Sequence, residues 1–225
     1  MSKKCYAVIV AGGTGSRMGG GIAKQFLELD DKPVLLHTVE AFMKLSFPVD
    51  IILVVPSAYR QHWKDYCMEH RLTFSHILVS GGITRFHSVK NALKYVAKDA
   101  IVAVHDGVRP FVSKDFLESL FALAQEREAV IPVIKAVDSI RKLTGEGSSK
   151  PVNRKEFVMV QTPQIFHSDI ILKAYEQAYS PLFNDDASVV ESIGQEIFLA
   201  EGSRYNIKIT QPEDLILARA IINVF

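Results

Sequence analysis

The chain has little cysteine and almost no net charge. Its 225 residues include two cysteines, Cys5 and Cys67, which lie far apart and outside any metal-ligand spacing. We therefore expect neither a disulfide bond nor a zinc site. The formal net charge is +1 at pH 7, and balanced charge argues against a broad surface for nucleic acid or a membrane. Any anion site must then depend on a few cations in particular places.

Long hydrophobic runs are also missing, since no apolar stretch approaches the length that spans a membrane. Near the start, Lys3 and Lys4 precede seven apolar residues, which resembles a shortened signal peptide. The run ends at Gly12 and Gly13 without a plausible cleavage site, so we interpret it as a strand. These features predict a soluble cytoplasmic protein with no nucleic-acid or membrane partner.

A glycine-rich segment, residues 11–25, follows the apolar run at 6–10. Glycine lets backbone N–H groups approach a ligand closely and point at it, as a phosphate site requires. Arg17 and Lys24 add two positive charges to the segment. Together these features predict a site for a nucleoside triphosphate. A plain turn between a strand and a helix is the alternative.

Two better-known phosphate loops do not fit this segment. A Walker A loop needs a Gly-Lys pair, and none occurs here. The dinucleotide fingerprint G-x-G-x-x-G begins at Gly13 and Gly15, but Met18 occupies its third glycine position. A nicotinamide-dependent oxidoreductase is the resulting alternative from a different class. That class needs an acidic residue about 20 positions after the glycines, and the acidic residues at 28–31 come too early.

Short apolar runs alternate with helical patterns along the rest of the chain. The runs are continuous, as in strands covered on both faces, and lie at 6–10, 51–55, 77–79, 101–104, 130–134, 157–160 and 197–199. Helical patterns occupy residues 84–98 and follow the capping residue Ser113, and Thr210 with Glu213 predicts a capping box for the last helix. This alternation predicts an α/β fold with a mostly parallel twisted sheet and helices on both faces. Ligands then bind beyond the carboxyl ends of the strands.

One polar segment interrupts this alternation. Residues 141–154 are rich in glycine, serine and charge, and the runs on either side look like strands. A surface hairpin is one interpretation. The other is a projecting β-arm, residues 138–155, that pairs with another subunit. No internal repeat or linker divides the rest of the chain, so we expect a single domain over residues 1–225.

The predicted strand at 101–104 is followed by His105 and Asp106. A carboxylate at the carboxyl end of a strand suits Mg²⁺, which takes one or two carboxylates together with substrate phosphates. We therefore predict that Asp106 is a metal ligand, with helix capping as the alternative. His105 is interpreted as structural, and Arg109 is a candidate contact for a second anion.

Two further features favour nucleotide transfer. Gly81 and Gly82 precede Arg85 and Ser88 at the start of a helical pattern, where backbone amides are able to read a base edge. Lys208 is predicted in mid-strand among apolar neighbours, so it needs an anionic partner unless it faces water at a sheet edge. No nucleophilic serine or cysteine elbow is present. The pattern suits a substrate phosphate that attacks an α-phosphate and displaces pyrophosphate, with Mg²⁺, lysine and arginine neutralising the charge.

These features resemble those of the 2-C-methyl-D-erythritol 4-phosphate cytidylyltransferase family of non-mevalonate isoprenoid biosynthesis. The resemblance covers essentially the whole chain and rests on A-G-G-T-G-S-R-M with K-Q-F, G-G-x-x-R-x-x-S-V, H-D-x-x-R-P, Q-T-P-Q-x-F, D-D-A-S and N-I-K-I-T-x-P-E-D-L. It implies a Rossmann-like nucleotidyltransferase fold and a homodimer whose arm completes the neighbouring active site. It also implies transfer of CMP from CTP to 2-C-methyl-D-erythritol 4-phosphate, giving 4-diphosphocytidyl-2-C-methyl-D-erythritol and pyrophosphate.

The resemblance further implies roles for particular residues. Arg17 and Lys24 bind the triphosphate and stabilise the transition state. Asp106 lies by the metal and both substrate phosphates. The residues around CTP are Ala11, Gly12, Gly13, Gly15, Gly81, Gly82 and Ser88. The methylerythritol phosphate faces Arg109, Thr162, Asn184 and the catalytic residue Lys208, while Ser139 and Arg154 come from the arm of the other subunit.

The chain departs from the family pattern at several positions. Ala23 stands where the family usually has proline before the catalytic lysine. Ser139 and Asn184 stand where it usually has threonine. Asn206 matches a second metal ligand of related nucleotidyltransferases, although Tyr205 precedes it.

Two more alternatives stay open. Ribitol-5-phosphate cytidylyltransferases share the N-terminal loop, but R-F-H-S-V after the second glycine pair and D-D-A-S-V-V-E favour the isoprenoid enzyme. A nucleotide-binding module without catalysis would not need Asp106, Lys24 and Lys208 together.

Overall fold

The computed structural model describes residues 3–13 and 23–225, so the predicted contacts Gly15 and Arg17 lie outside the described residues. The strands are β1 (Lys4–Val10), β2 (Glu28–Leu29), β3 (Lys32–Pro33), β4 (Val49–Val55), β5 (His76–Ser80), β6 (Ala100–Asp106), β7 (Ala129–Lys135), β8 (Arg141–Gly145), β9 (Ser148–Pro151), β10 (Val158–Val160), β11 (Gln164–His167) and β12 (Phe198–Glu201). The helices are α1 (Val34–Met43), α2 (Arg60–Glu69), α3 (Arg85–Leu93), α4 (Lys114–Glu126), α5 (Ser168–Ala174), α6 (Asp186–Glu191) and α7 (Pro212–Ile222). Short 3₁₀ turns lie at Lys24–Phe26, Ser57–Tyr59 and Arg154–Glu156.

The main sheet is mostly parallel, as the sequence predicts. Strands β5, β4, β1 and β6 lie side by side and run in the same direction. Strand β11 runs antiparallel between β6 and β7, β10 continues antiparallel along β7, and β12 pairs in parallel with the other edge of β7. Because Val10 is the direct partner of Asp106, the carboxyl ends of β1 and β6 lie together.

Side chains of the central strand β1 alternate between two apolar layers. Cys5, Ala7 and Ile9 pack into one layer, while Tyr6 and Val8 pack into the other, as the two-residue period of a strand requires. Helices α1, α2 and α4 cover the first face, and α3, α5 and α6 cover the second. This coverage explains the continuous apolar runs, and the predicted α/β fold is confirmed.

Helix boundaries differ from the prediction in two places. Helix α3 begins at Arg85 with Thr84 as its N-cap, and it ends at Leu93 instead of continuing to 98. Helix α7 has Gln211 as its N-cap, and the backbone N–H of Gln211 donates to Asp214 at 2.9 Å. The predicted capping box of Thr210 and Glu213 is therefore wrong, because the capping carboxylate lies one residue further along the chain.

The prediction that Lys208 lies in mid-strand is also wrong. Residues 206–210 belong to no strand in the described structure. The alternating Ile207 and Ile209 instead pack against the cluster that α7 forms with Leu29 and Val34. Apolar alternation here reflects packing beneath a helix, and a backbone bond from Ile209 N–H to Val108 O, at 2.9 Å, ties the segment to the loop after β6.

Strands β8 and β9 form a hairpin that pairs only with itself among the described strands. Its residues are almost all exposed. The neighbouring strand β10 was predicted as a covered strand, yet Val158, Met159 and Val160 are 42, 48 and 41% exposed. Within residues 3–13 and 23–225, no helix has the length and apolarity that a membrane crossing requires.

Candidate active site

A cavity of about 460 Å³ opens at the joined carboxyl ends of β1 and β6. Predicted site residues from four separate parts of the sequence line it: Ala11, Gly12, Gly13, Lys24, Gly82, Ser88, Asp106 and Lys208. Gln25 and Arg85, to which the sequence analysis gave no role, line it as well. The position agrees with the rule that ligands of a parallel sheet bind beyond its carboxyl edge.

The two glycine segments approach each other closely at one wall of this cavity. A Cβ atom on Gly81 would lie 3.4 Å from the Cα of Gly12, and one on Gly12 would lie 3.0 Å from Ser88 Oγ. A Cβ on Gly82 would lie only 2.4 Å from the Cβ of His87. Ser88 Oγ holds the turn closed, since it accepts from Gly82 N–H at 3.0 Å and donates to Thr84 O at 3.0 Å.

Asp106, which also lines this cavity, is the centre of a cluster of charges. Its carboxylate pairs with Lys208 Nζ at 2.9 Å, with Arg109 Nε at 3.3 Å and with Arg85 Nε at 3.5 Å. Burial alone would raise the pKa of Asp106, but Arg85, Lys208 and Arg109 together lower it well below its usual range. The carboxylate is therefore ionised at neutral pH, and it holds three cations beside the cavity. Asp106 caps no helix here, whereas the anionic partner expected for Lys208 is present.

Arg85 is the residue of this cluster that the sequence analysis missed. Its Nη2 donates to the buried Asp186 at 2.7 Å while its Nε faces Asp106. The hydroxyl of Tyr175 donates to the other oxygen of Asp186 at 2.6 Å. Arg85 thus ties the start of α3 to the start of α6. An arginine in the first turn after a glycine pair was the available signal, but its partner lies 101 residues away.

His105 supports Asp106 through a chain of hydrogen bonds. Its Nε2 contacts Arg109 O at 3.0 Å, and because a carbonyl only accepts, Nε2 carries the proton. Burial lowers the pKa of His105 to about 4, so the ring is neutral at pH 7 and its Nδ1 accepts from Thr162 Oγ1 at 3.0 Å. Thr162 Oγ1 in turn accepts from Asp106 N–H at 3.1 Å. The structural interpretation of His105 fits this geometry.

Thr162, Arg109 and Asn206 lie next to one another behind Asp106. Arg109 Nη1 donates to Asn206 O at 2.7 Å, and Asn206 Nδ2 donates to Thr162 O at 2.7 Å. The guanidinium of Arg109 and the hydroxyl of Thr162 are thus engaged with protein atoms. In this structure these residues fix the backbone and the charges around Asp106.

Asp106 and Asn206 are the two predicted metal ligands. Asn206 Oδ1 is buried and has no hydrogen-bond partner among the described residues, which is an unfavourable state for a buried acceptor. No group of three or more histidine, cysteine or acidic side chains in the described part of the chain is placed to hold a metal ion. A carboxylate and an amide oxygen are ligand types that magnesium accepts when substrate phosphates supply most of the others, although Asn206 is not among the residues that line the cavity.

Five predicted substrate contacts are not among the residues that line the cavity: Arg109 and Thr162, which lie next to Asp106, and Ser139, Arg154 and Asn184, which lie further away. Ser139 and Arg154 are exposed near the base of the hairpin, where Arg154 Nη1 donates to Val137 O. Asn184 is exposed just before α6, and its backbone N–H donates to Ser188 Oγ at 3.0 Å. A single chain does not bring Ser139 or Arg154 to this cavity wall.

Comparison with known proteins agrees with this geometry. The family model described as IspD: 2-C-methyl-D-erythritol 4-phosphate cytidylyltransferase matches residues 5–224. Curated proteins of that name from Phocaeicola vulgatus and Bacteroides thetaiotaomicron are 48 and 49% identical, over 96 and 97% of this chain and 99 and 100% of their own lengths.

Solved structures of the same kind share the fold. The 2-C-methyl-D-erythritol 4-phosphate cytidylyltransferase of Thermus thermophilus has a TM-score of 0.80 at 28% identity, and 98% of this chain and 99% of that chain are covered. The 4-diphosphocytidyl-2C-methyl-D-erythritol synthase of Anaerococcus prevotii has a TM-score of 0.83 at 27% identity, with the same coverage. The chain belongs to the 2-C-methyl-D-erythritol 4-phosphate cytidylyltransferase family.

Proposed function

We propose that this protein transfers CMP from CTP to 2-C-methyl-D-erythritol 4-phosphate. The products are 4-diphosphocytidyl-2-C-methyl-D-erythritol and pyrophosphate, in the formation of isoprenoid precursors. The observation that carries the proposal is one cavity lined by Lys24, by both glycine segments and by Asp106 with its cation partners Arg85 and Lys208. Family membership supports cytidylyl transfer and supports neither ribitol phosphate as the acceptor nor a nicotinamide-dependent reaction.

The chemistry needs charge stabilisation and positioning more than proton transfer. A phosphate oxygen of the acceptor, already ionised at pH 7, attacks the α-phosphorus of CTP. One P–O bond forms, the bond between the α-phosphorus and the bridging oxygen breaks, and pyrophosphate leaves with the electron pair. No general base is required, so fixed cations such as Lys24 and Lys208 act on the charge that develops. Arg17 belongs to the same proposal, although it lies outside the described residues.

We also assign Mg²⁺ to this site, held by Asp106 and by the unpartnered Oδ1 of Asn206. The ion supplies charge neutralisation on the phosphates when it is bound. The cations around Asp106 remain close enough to keep its carboxylate ionised, as a metal ligand must be. Activity abolished by a chelator and restored by Mg²⁺ would support this assignment, whereas full activity in the chelator would contradict it.

The protein is proposed to act as a homodimer through the hairpin β8–β9 and strand β10. Six exposed apolar side chains lie in or next to these elements: Val137, Leu143, Phe157, Val158, Met159 and Val160. Large apolar side chains that are exposed to this degree are available to pack against another subunit. In such a dimer, Ser139 and Arg154 of one subunit serve the acceptor site of the other. Sedimentation that gives a monomer at micromolar concentration would overturn this part of the proposal.

The cytoplasm is the proposed location, because Cys5 and Cys67 are both free thiols, as is usual in a reducing compartment. The partners are CTP and methylerythritol phosphate. The near-zero net charge does not favour nucleic acid or a membrane surface.

The deciding experiment measures pyrophosphate release with Mg²⁺ in a matrix of substrates. CTP, UTP and ATP are each combined with 2-C-methyl-D-erythritol 4-phosphate and with ribitol 5-phosphate. Release with CTP and the methylerythritol phosphate alone is the expected result. Release with ribitol 5-phosphate would change the acceptor, and no release in any combination would overturn the proposal.

A further inference from the structure

The turn that carries Lys24 is tied to the first glycine segment by the side chain of the next residue. Gln25 is 1% exposed. Its Nε2 donates to Ala11 O at 2.8 Å and to Gly13 O at 3.1 Å. A buried amide is stable only when it is hydrogen-bonded. These two bonds therefore belong to the built structure of the cavity.

The two hydrogen bonds of Gln25 stabilise the fold, and they also fix the orientation of the backbone that they contact. Both N–H groups of a planar amide point in set directions, so one side chain that bonds two carbonyls holds that stretch of backbone in one orientation. Consecutive Cα atoms are about 3.8 Å apart, so the origin of the Lys24 side chain moves with Gln25. Gly13 and Lys24 both line the cavity, and Gln25 joins them across residues 14–22.

The two hydrogen bonds of Gln25 also set the direction of two backbone carbonyl dipoles. A phosphate site made of backbone N–H groups is weakened when carbonyl oxygens face the anion. Gln25 binds the carbonyl oxygens of Ala11 and Gly13, so the partial negative charge of both is taken up by a donor. The effect is to leave the glycine segment favourable to an anion.

A different contact holds the other side of the turn. Phe26 is buried, and its ring stacks on Tyr59 with centroids 5.3 Å apart and meets the edge of His62 at 4.9 Å. Backbone bonds from Phe26 N–H to Ala23 O, at 2.9 Å, and from Leu27 N–H to Lys24 O, at 3.2 Å, close the turn. Phe26 therefore anchors the turn to the body of the fold, and Gln25 sets its register with the glycine segment.

We infer that Gln25 is a positioning residue for cytidylyl transfer. Its side-chain amide holds the Lys24 ammonium at the correct distance from the phosphates bound by the glycine segment. It acts through Lys24 and does not itself need to contact the reacting atoms. This inference rests on the proposed function.

The test is a double-mutant cycle with Lys24. Gln25→Met keeps the length of the side chain and removes both donors, and we expect kcat to fall on the order of 10–10², as a small misplacement of a catalytic group does. KM for the acceptor should change far less. In the Lys24→Ala background, Gln25→Met should cost almost nothing further, because the group that it positions is already gone.

The matched control is Gln177, whose Nε2 also bridges two backbone carbonyls, Ala174 O at 2.7 Å and Val189 O at 3.2 Å. Gln177→Met makes the same chemical change between α5 and α6, and we expect it to lower the melting temperature without lowering kcat. If Gln25→Met does not fold, Gln25→Asn, which keeps the amide but shortens its reach, enters the same cycle.

The outcomes separate this inference from the proposed function. A wild-type protein that releases no pyrophosphate from CTP and methylerythritol phosphate overturns the proposed function. An active wild type with a normal kcat for Gln25→Met overturns the role of Gln25 alone. Effects of Gln25→Met and Lys24→Ala that multiply independently would also overturn it, because they would show that Gln25 does not act through Lys24.

Discussion

The predicted substrate contacts lie in two different settings, the cluster around Asp106 and the predicted arm 138–155 that contains the hairpin β8–β9. In the cluster, one buried carboxylate contacts three cations within 3.5 Å. The hairpin is exposed and contacts itself, for example through Arg141 Nε, which donates to Ser149 Oγ at 2.8 Å. Folding of one chain is therefore enough to place the first group of residues and not the second.

This difference indicates where a partner is needed. A two-stranded hairpin is marginally stable on its own in water, and its exposed leucine, Leu143, stabilises it only when another surface covers that side chain. A preformed charge cluster needs no such help. The site thus divides into a half that each chain completes and a half that we assign to the neighbouring subunit.

The largest expected effect lies in the preformed half. We expect Lys24→Ala to lower kcat by roughly 10²–10³, the usual result of losing one fixed transition-state donor. Steady-state pyrophosphate release measures it. Lys44→Ala, an exposed lysine at the end of α1, is the control and should leave kcat unchanged. Near-normal turnover of Lys24→Ala would remove Lys24 from the catalytic residues.

The second expected effect tests how strongly burial changes the protonation of His105 beside Asp106. The folded protein keeps the His105 imidazole neutral down to about pH 4, whereas an unfolded chain protonates it near pH 6.5. The unfolded state thus binds more protons in this window, and the free energy of unfolding should fall by roughly 3 kcal/mol as the pH drops from 6.5 to 4. Asp106, with its lowered pKa, contributes stability above about pH 4 that is lost only at more acidic pH.

Urea unfolding at several pH values measures this effect. His105→Gln has no titrating ring and should lose most of the dependence between pH 6.5 and 4. His76, whose pKa is also lowered by burial, remains in both proteins and cancels in the comparison. An unchanged slope in His105→Gln would show that other groups cause the acid sensitivity.

A third, smaller effect concerns the half assigned to the partner. We expect Arg154→Ala to raise KM for the acceptor about tenfold, the loss of one charged hydrogen bond, with KM for CTP unchanged. Arg141→Ala, an exposed arginine of the hairpin that precedes Arg154, is the control. Equal changes in both KM values would argue against a contact with the acceptor.

Mixed dimers test whether Arg154 serves the site of its own subunit or that of the neighbouring subunit. If Arg154 serves the neighbouring site, a heterodimer of Lys24→Ala and Arg154→Ala subunits contains one fully wild-type site. Random exchange of subunits should then restore about a quarter of wild-type sites. No recovery on mixing would place Arg154 in its own subunit's site.

The smallest effect is on assembly. Leu143 is 80% exposed on the hairpin, and Leu143→Ser should weaken the dimer about fivefold, as partial burial of one leucine would predict. Lys142→Ser changes the neighbouring residue on the opposite face of the strand and should have little effect. Sedimentation over a dilution series distinguishes the two variants.

The sequence could predict the position of the cavity, because parallel strands and glycine segments meet at one edge of a sheet by a general rule. It could not predict the contact of Arg85 with Asp186 or of His105 with Thr162, since those partners are 101 and 57 residues apart. Apolarity of residues 157–160 indicated a strand correctly, but it does not distinguish a surface covered by this chain from one covered by another. The prediction of a strand around Lys208 was wrong for a similar reason, because apolar residues that pack under α7 alternate in the same way as those of a strand.

For the proposed reaction, we expect the substrate phosphates to compete with the carboxylate of Asp106 for the cations around it. Arg85, Arg109 and Lys208 face Asp106 and Asp186, so the cluster carries one excess positive charge before any phosphate arrives. An incoming phosphate would take the place of the Asp106 carboxylate as the partner of these cations. The cations are already in position before the phosphate binds. Selectivity among anions at such a site depends on the number and spacing of the charges on the ligand. A small cavity of this kind therefore favours polyphosphates over the far more abundant monovalent anions around it.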